Sequence, residues 1–152
     1  MKRVLFVCTG NICRSPSAEG ILRAKAEARG VDVFVDSAGT HGYHVGDPPD
    51  PRSIKAAAAR GYDISGLRAR KLHRDDFDKF DLLIALDDGH FENMRWSCPP
   101  ELQHKLHRMM DFAPQAGRRD VPDPYYGSAL DFELVLDLLE LATDGLLDEV
   151  TW

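Results

Sequence analysis

The sequence predicts an α/β fold: a single domain built on a parallel four-stranded sheet with helices on both faces. Three observations lead there. Short apolar runs, Val4-Leu5-Phe6-Val7 and Leu82 to Leu86 foremost, alternate along the chain with stretches whose apolar residues recur at helical spacing. The runs are continuous instead of alternating apolar with polar, as expected of strands covered on both faces. The length of 152 residues, with 43% apolar and 29% charged, suits one core and needs no second, so residues 1–152 are expected to form one unit.

The elements follow in order. Val4 to Val7 is the first, central strand. Ser15 then serves as an N-cap and Pro16 suits the first helical position, with Ala18, Ile21, Leu22 and Ala26 on one face until Gly30 closes the helix. Val31 to Val35 reads as the second strand. Asp50-Pro51 opens a helix carrying Ile54, Ala57 and Ala58 that Gly61 ends, and Leu82 to Leu86 is the third strand. Asp87 or Asp88 caps a helix running to about Trp96, and Pro99-Pro100 interrupts it. Leu106 to Met110 is a weaker fourth strand, followed by an irregular stretch to Tyr126. The last element is a long amphipathic helix with Leu134, Leu138 and Leu141 on its apolar stripe. Strands joined through helices imply parallel pairing with right-handed crossovers.

The connection after the first strand carries the chemistry. Cys8-Thr9-Gly10-Asn11-Ile12-Cys13-Arg14-Ser15 has the spacing Cys-x5-Arg-Ser between a strand and a helix N-terminus. Such a loop can wrap one tetrahedral oxyanion, because its backbone N–H groups and the positive end of the helix dipole converge there and Gly10 lets the backbone curl. The same groups, with Arg14, stabilise a Cys8 thiolate, the nucleophile that phosphate ester chemistry needs. Chance places Cys-x5-Arg followed by Ser or Thr in roughly two chains of this composition in a hundred, so the flanking strand and capped helix carry much of the inference. The alternative for Cys8 is an inert, packed residue at a strand end. Ser15 either caps the helix or also donates its hydroxyl to the Cys8 sulfur.

Composition narrows the remaining classes. A net charge of −6 argues against nucleic acid or an anionic membrane as the main partner. Arg68, Arg70, Lys71 and Arg74 form the one dense basic run, read either as a solvated face or as an attractor of acidic or phosphorylated substrates. Three cysteines without a secretory signal suggest the reducing cytoplasm, and no stretch reads as a membrane span. His104 and His107 are three apart but lack a third ligand and read as solvated histidines, and no metal or other cofactor is expected. His41, His44, His73 and His90 form no readable cluster. Asp87, at the end of the third strand, either caps its helix or pairs with Arg14 from below.

The stretch Val4 to Glu19 resembles the signature of the low-molecular-weight protein tyrosine phosphatases, and Asp123-Pro124-Tyr125-Tyr126-Gly127 resembles that family's general-acid loop. Asp36 to Thr40 and Gly46 to Asp50 resemble further family segments, so the similarity covers essentially the whole chain. The resemblance implies a cytoplasmic phosphotyrosine-protein phosphatase acting on phosphotyrosine-containing proteins. Cys8 would attack phosphorus, Arg14 and the backbone of Thr9, Gly10, Asn11, Ile12, Cys13 and Ser15 would hold the phosphoryl oxygens, and Asp123 would be the acid. Without the resemblance, an Asp before Pro is an ordinary turn residue. Ile12, Tyr43, Tyr125 and Tyr126 would wall a slot for a flat phenyl ring, with ordinary half-buried packing the alternative for Tyr126. Asn11 would orient the loop, or would serve only as a residue tolerant of left-handed geometry.

Three positions depart from the family pattern. Leu67 stands where a histidine often supports the loop, Thr9 where leucine is frequent, and Cys13 lies near enough in sequence to pair with Cys8 under oxidation or to be a bystander. Rival readings are an arsenate reductase, which needs two further cysteines where only Cys98 is available, and an arginine phosphatase, whose loop has threonine in place of Ile12. A noncatalytic phosphate-binding module would have no use for Cys8, Arg14 and Asp123 together.

Overall fold

The computed structural model describes residues 1–152. Four strands, β1 (Lys2–Cys8), β2 (Val33–Gly39), β3 (Leu82–Ala85) and β4 (Leu106–Arg108), form one sheet in the order β2-β1-β3-β4, every pair parallel. Between and after them come α1 (Arg14–Arg29), α2 (Pro51–Ala59), α3 (Asp76–Lys79), α4 (Asp88–Ser97) and α5 (Ala129–Glu149).

Side-chain alternation along β1 divides the core into two. Val4, Phe6 and Cys8 point to the face covered by α1 and α5, where they meet Ile21, Leu22, Leu136, Leu139 and Leu146. Leu5 and Val7 point to the other face, against Phe77 of α3, Phe80, and Met94 of α4. Each fully buried Leu or Ile contributes about 1.5–3 kcal/mol, so this central strand, buried from Val4 to Cys8, is firmly held on both faces. The catalytic-type loop grows directly from it.

Several boundaries differ from the sequence reading. β2 begins at Val33 because the Val31 N–H bonds back to the Ala26 carbonyl and closes α1 around Gly30, which is left-handed at φ 68°. It extends to Gly39 because β1 continues to Cys8 and pairs with it there. β4 stops at Arg108, since Met109–Phe112 coil into a 3-10 turn. Pro100–Lys105 and Pro114–Ala116 are further 3-10 turns, and the four-residue α3 carries too short a period to be read from sequence. On α5 the buried stripe runs through Val135, Leu136, Leu138, Leu139 and Leu146, while Leu141 is exposed. Ser15 is not the N-cap of α1: Cys13 occupies that position and Ser15 lies within the first turn.

No helix is long and apolar enough to cross a membrane.

Candidate active site

At the carboxyl end of β1 the chain leaves the sheet at Cys8 and re-enters regular structure at Arg14. Neighbouring segments hold the intervening loop by its carbonyls: Thr40 N–H bonds to Cys8 O at 2.8 Å, His41 N–H to Thr9 O at 3.0 Å, and Asp50 N–H to Ile12 O at 2.8 Å. The N–H groups of residues 9–13 bond to no backbone carbonyl, so they remain available to an anion in the cleft the loop lines. Gly39 permits this close approach, since a Cβ there would lie 2.7 Å from Thr9 O.

Asn11 is the one non-glycine residue with positive φ, at 58°. Its side chain is fully engaged: Nδ2 donates to Ser15 Oγ at 2.8 Å and Ser37 Oγ at 2.9 Å, and Oδ1 accepts from Arg70 N–H at 3.0 Å. Asn11 thus combines the left-handed backbone with a side chain bonded on both its nitrogen and its oxygen. The direction of the bonds matters. Because Ser15 Oγ accepts from Asn11, its own proton is free for Cys8 Sγ, 3.0 Å away. Ser37 likewise accepts from Asn11 and donates to Glu19 Oε1 at 2.7 Å, and Arg23 grips Glu19 Oε2 at 2.5 Å. Burial pushes the Glu19 carboxyl up, against the lowering effect of Ser37 and Arg23. A continuous polar chain thus runs from the surface to the sulfur, and Leu67 takes no part in it.

Arg14 lies beside the loop, 3% exposed. Its Nη1 donates to Asp87 Oδ2 at 2.8 Å and to Val121 O at 2.9 Å, while Nη2 lies 3.8 Å from Asp123 Oδ2. Asp87 also accepts the His90 N–H at 2.9 Å, so it caps α4 and pairs with Arg14 at once. Burial alone would raise the Asp87 carboxyl, but the His90 N–H and the nearby positive charge outweigh it and hold it below the ordinary range. Cys13 behaves oppositely: burial, reinforced by the Asp50 carboxylate, pushes its thiol up to about 12. Two cysteines on one loop are thereby differentiated, with the Ser15 hydroxyl on Cys8 and Cys13 held as a thiol.

The cleft over the loop has a volume of about 370 Å³ and is lined by Cys8, Thr9, Gly10, Ile12, Cys13, Arg14, Tyr43, His44, Asp123, Tyr125 and Tyr126. The Cys8 sulfur, the Arg14 guanidinium, the Asp123 carboxyl and the aromatic walls are therefore brought together, whereas Asn11 and Ser15 do not line the cleft. Asp123 is half exposed and accepts the Tyr125 N–H at 3.0 Å, a local turn that aims its other oxygen toward Arg14. Tyr125 and Tyr126 meet edge to face with centroids 4.9 Å apart. Tyr126 is 95% exposed and Tyr43 76% exposed, so both are rims of the slot and Tyr126 is not half-buried packing. Arg52, paired with Asp50, donates to Tyr125 O at 2.9 Å and ties the Asp123 loop to the start of α2.

Some participants escaped the sequence reading. His44 lines the cleft, and a Cβ on residue 10 would lie 3.0 Å from its Cδ2, so that the partly exposed ring would have to shift slightly. His90 reaches Thr9 and Arg14. The available signal for each was adjacency, to Tyr43 for His44 and to the Asp87 cap one turn earlier for His90. Arg70 is not a solvated cation: it pairs with Asp36 and the buried Asp76 at 3.1 and 3.0 Å, which fixes the backbone that supports Asn11. Arg68, Lys71 and Arg74 remain at the surface. His107 packs its ring on Phe112 and does not line the cleft.

Comparison with known proteins gives one family. The sequence model described as low molecular weight phosphotyrosine protein phosphatase matches residues 3–151. A low molecular weight protein-tyrosine-phosphatase of Streptomyces coelicolor is 45% identical over 97% of this chain and 93% of its own. Among solved structures, a protein tyrosine phosphatase of Entamoeba histolytica with Hepes in its active site superposes with a TM-score of 0.95 at 36% identity, covering 98% of this chain and 96% of that one. YfkJ of Bacillus subtilis superposes with a TM-score of 0.91 at 37% identity, covering 97% and 93%.

Proposed function

Since this chain belongs to the low-molecular-weight phosphotyrosine protein phosphatase family, we propose that it hydrolyses phosphotyrosine in proteins, and small aryl phosphates, through a phosphate ester of Cys8. The observation that carries the proposal is the convergence on one cleft of the Cys8 sulfur with the Ser15 hydroxyl upon it, the Arg14 guanidinium and the Asp123 carboxyl.

In the first step the Cys8 thiolate attacks phosphorus in line, the P–O bond to the ring breaks, and Asp123 gives its proton to the departing phenolate oxygen. The equatorial oxygens rest against the free N–H groups of the loop and Arg14, whose fork suits two of them. In the second step the Asp123 carboxylate takes a proton from water as that water attacks phosphorus. The S–P bond breaks, Cys8 leaves as thiolate toward the Ser15 hydroxyl, and inorganic phosphate is released. The chain's own groups carry each proton and charge, so neither metal nor other cofactor enters. A thiolate nucleophile also needs a reducing compartment, and we place the protein in the cytoplasm.

Specificity rests on the walls. Ile12 offers methyl groups to the face of a phenyl ring, where a branched polar guanidinium would be left without partners, and Tyr43, Tyr125 and Tyr126 add depth that a short phosphoserine does not span. The test is kcat/KM for phosphotyrosine, phosphoserine and phosphoarginine peptides. A strong preference for phosphotyrosine is expected, with Ile12→Thr shifting the ratio toward phosphoarginine by an amount worth about 1–3 kcal/mol. Equal hydrolysis of phosphoarginine and phosphotyrosine by the unmodified protein would overturn the specificity.

A further inference from the structure

The Thr9 side chain and His90 have no part in the steps above, yet they are joined to the guanidinium that does. His90 stands in the first turn of α4, 4% exposed, with its Nε2 at 2.8 Å from Thr9 Oγ1 and 3.4 Å from Arg14 Nη2. A guanidinium only donates, so Nε2 is the acceptor of the ring, its single in-plane lone pair shared between a short bond from the Thr9 hydroxyl and a longer one from Arg14. The ring proton then belongs on Nδ1. That atom lies 3.1 Å from Asp87 Oδ1 without hydrogen-bond alignment and is the one buried side-chain nitrogen or oxygen with no hydrogen-bond partner. The opposite tautomer would turn an N–H against the Arg14 cation and leave a bare nitrogen against a carboxylate.

The hydrogen bonds of Arg14 show why this matters. The Nη1 hydrogens go to Asp87 and Val121, and among side chains only the ring of His90 accepts from Nη2. One Nη2 hydrogen and the Nε hydrogen are left as the edge that can address a phosphoryl group.

We propose that His90 is a positioning residue for this edge: as a neutral imidazole protonated on Nδ1, it accepts at Nε2 from both Arg14 and Thr9 and so locks the guanidinium to the first residue of the loop. The inference rests on the reading of Arg14 as the phosphoryl clamp. The charged groups around the ring are Arg14 from α1, Asp87 at the start of its own helix, and Asp120 and Asp123 from the loop before α5. Burial and the Arg14 charge prevail over the three carboxylates and hold the imidazole down at about 4, so it is neutral throughout the physiological range.

The test combines ring-nitrogen NMR of the unmodified protein with kinetics of four variants, His90→Ala, His90→Gln, Thr9→Val and the double variant Thr9→Val/His90→Ala. NMR should show protonated Nδ1 and bare Nε2 at pH 6. His90→Ala should lower kcat about 5- to 20-fold with KM altered less than about threefold, as expected for losing one oriented contact felt in the transition state. His90→Gln, whose amide oxygen can accept from the same donors, should recover part of the loss. Thr9→Val should cost less, and the double variant should be no worse than His90→Ala by more than about twofold, since both remove one unit. A proton on Nε2, additive losses, or a lowered Tm with kcat unchanged would each overturn the role of His90. Arg14→Lys separates the two levels: if it is severely impaired while His90→Ala is not, only the positioning role fails, and if it is fully active the clamp reading fails with it.

Discussion

Replacing Asn11 tests whether its side chain organises the nucleophile or merely tolerates its own backbone. The side chain makes three hydrogen bonds, to Ser15, Ser37 and the Arg70 N–H, and is 3% exposed. At about 1 kcal/mol each, their loss should destabilise Asn11→Gly by about 3 kcal/mol, although glycine accepts a positive φ freely. Asn11→Ala loses the same bonds and adds left-handed strain of about 1 kcal/mol, offset in part because alanine leaves the unfolded chain less free than glycine does. The two variants should therefore lie within about 1 kcal/mol of each other, each with a Tm lower by about 6–12 °C. In both, Ser15 loses the donor that fixes its proton toward Cys8, and kcat on an aryl phosphate should fall by about tenfold or more. Thermal denaturation and steady-state turnover of both variants decide the matter. Full activity in Asn11→Gly with reduced activity in Asn11→Ala would mean that only backbone geometry counts, and would refute the orienting role of the side chain.

Asp123→Asn should slow turnover by about 10²- to 10⁴-fold when the leaving group is tyrosine and much less for an acidic phenol that departs unprotonated; equal losses would point to a structural role. The fold should also lose stability as pH falls from about 6.5 toward 4, because unfolded His90 takes up a proton that the folded ring, held at about 4, refuses. That contribution is complete above pH 6.5 and worth about 3 kcal/mol, and Asp87, whose carboxyl is held low, adds its own loss only in more acid solution. Denaturant unfolding of the unmodified protein and His90→Gln across this range checks it: the variant should show a shallower slope, and identical slopes would contradict the assignment.

What was legible in the sequence was what lies close together along the chain. Cys8, Arg14 and the glycine between them share one strand-loop-helix connection, and Asp50 and Asp87 announce helix starts through local bonding to their own first turns. What depends on distant partners was not. Ser15 looked like a cap because it precedes Pro16, but the loop winds into α1 two residues early and frees its hydroxyl for Cys8 and Asn11. Arg70 looked like a surface charge because its two carboxylate partners come from the middle of β2 and from α3. Asp87 was read as either cap or ion-pair partner because a carboxylate has two oxygens, and only the fold shows one used for each. His44 and His90 carried only their adjacency to Tyr43 and to the Asp87 cap, which assigns no role, since a histidine acquires its role from what surrounds the ring.

The most direct test of the account is rapid acid quenching of the protein during turnover of a phosphotyrosine peptide, with mapping of the phosphorylated residue by mass spectrometry. The account predicts phosphate on Cys8, increased in a variant such as Asp123→Ala when an activated aryl phosphate loads the enzyme and water attack is slowed, and absent with turnover in Cys8→Ser. Turnover by Cys8→Ser at a rate comparable to the unmodified protein, or phosphate trapped on any other residue, would contradict it.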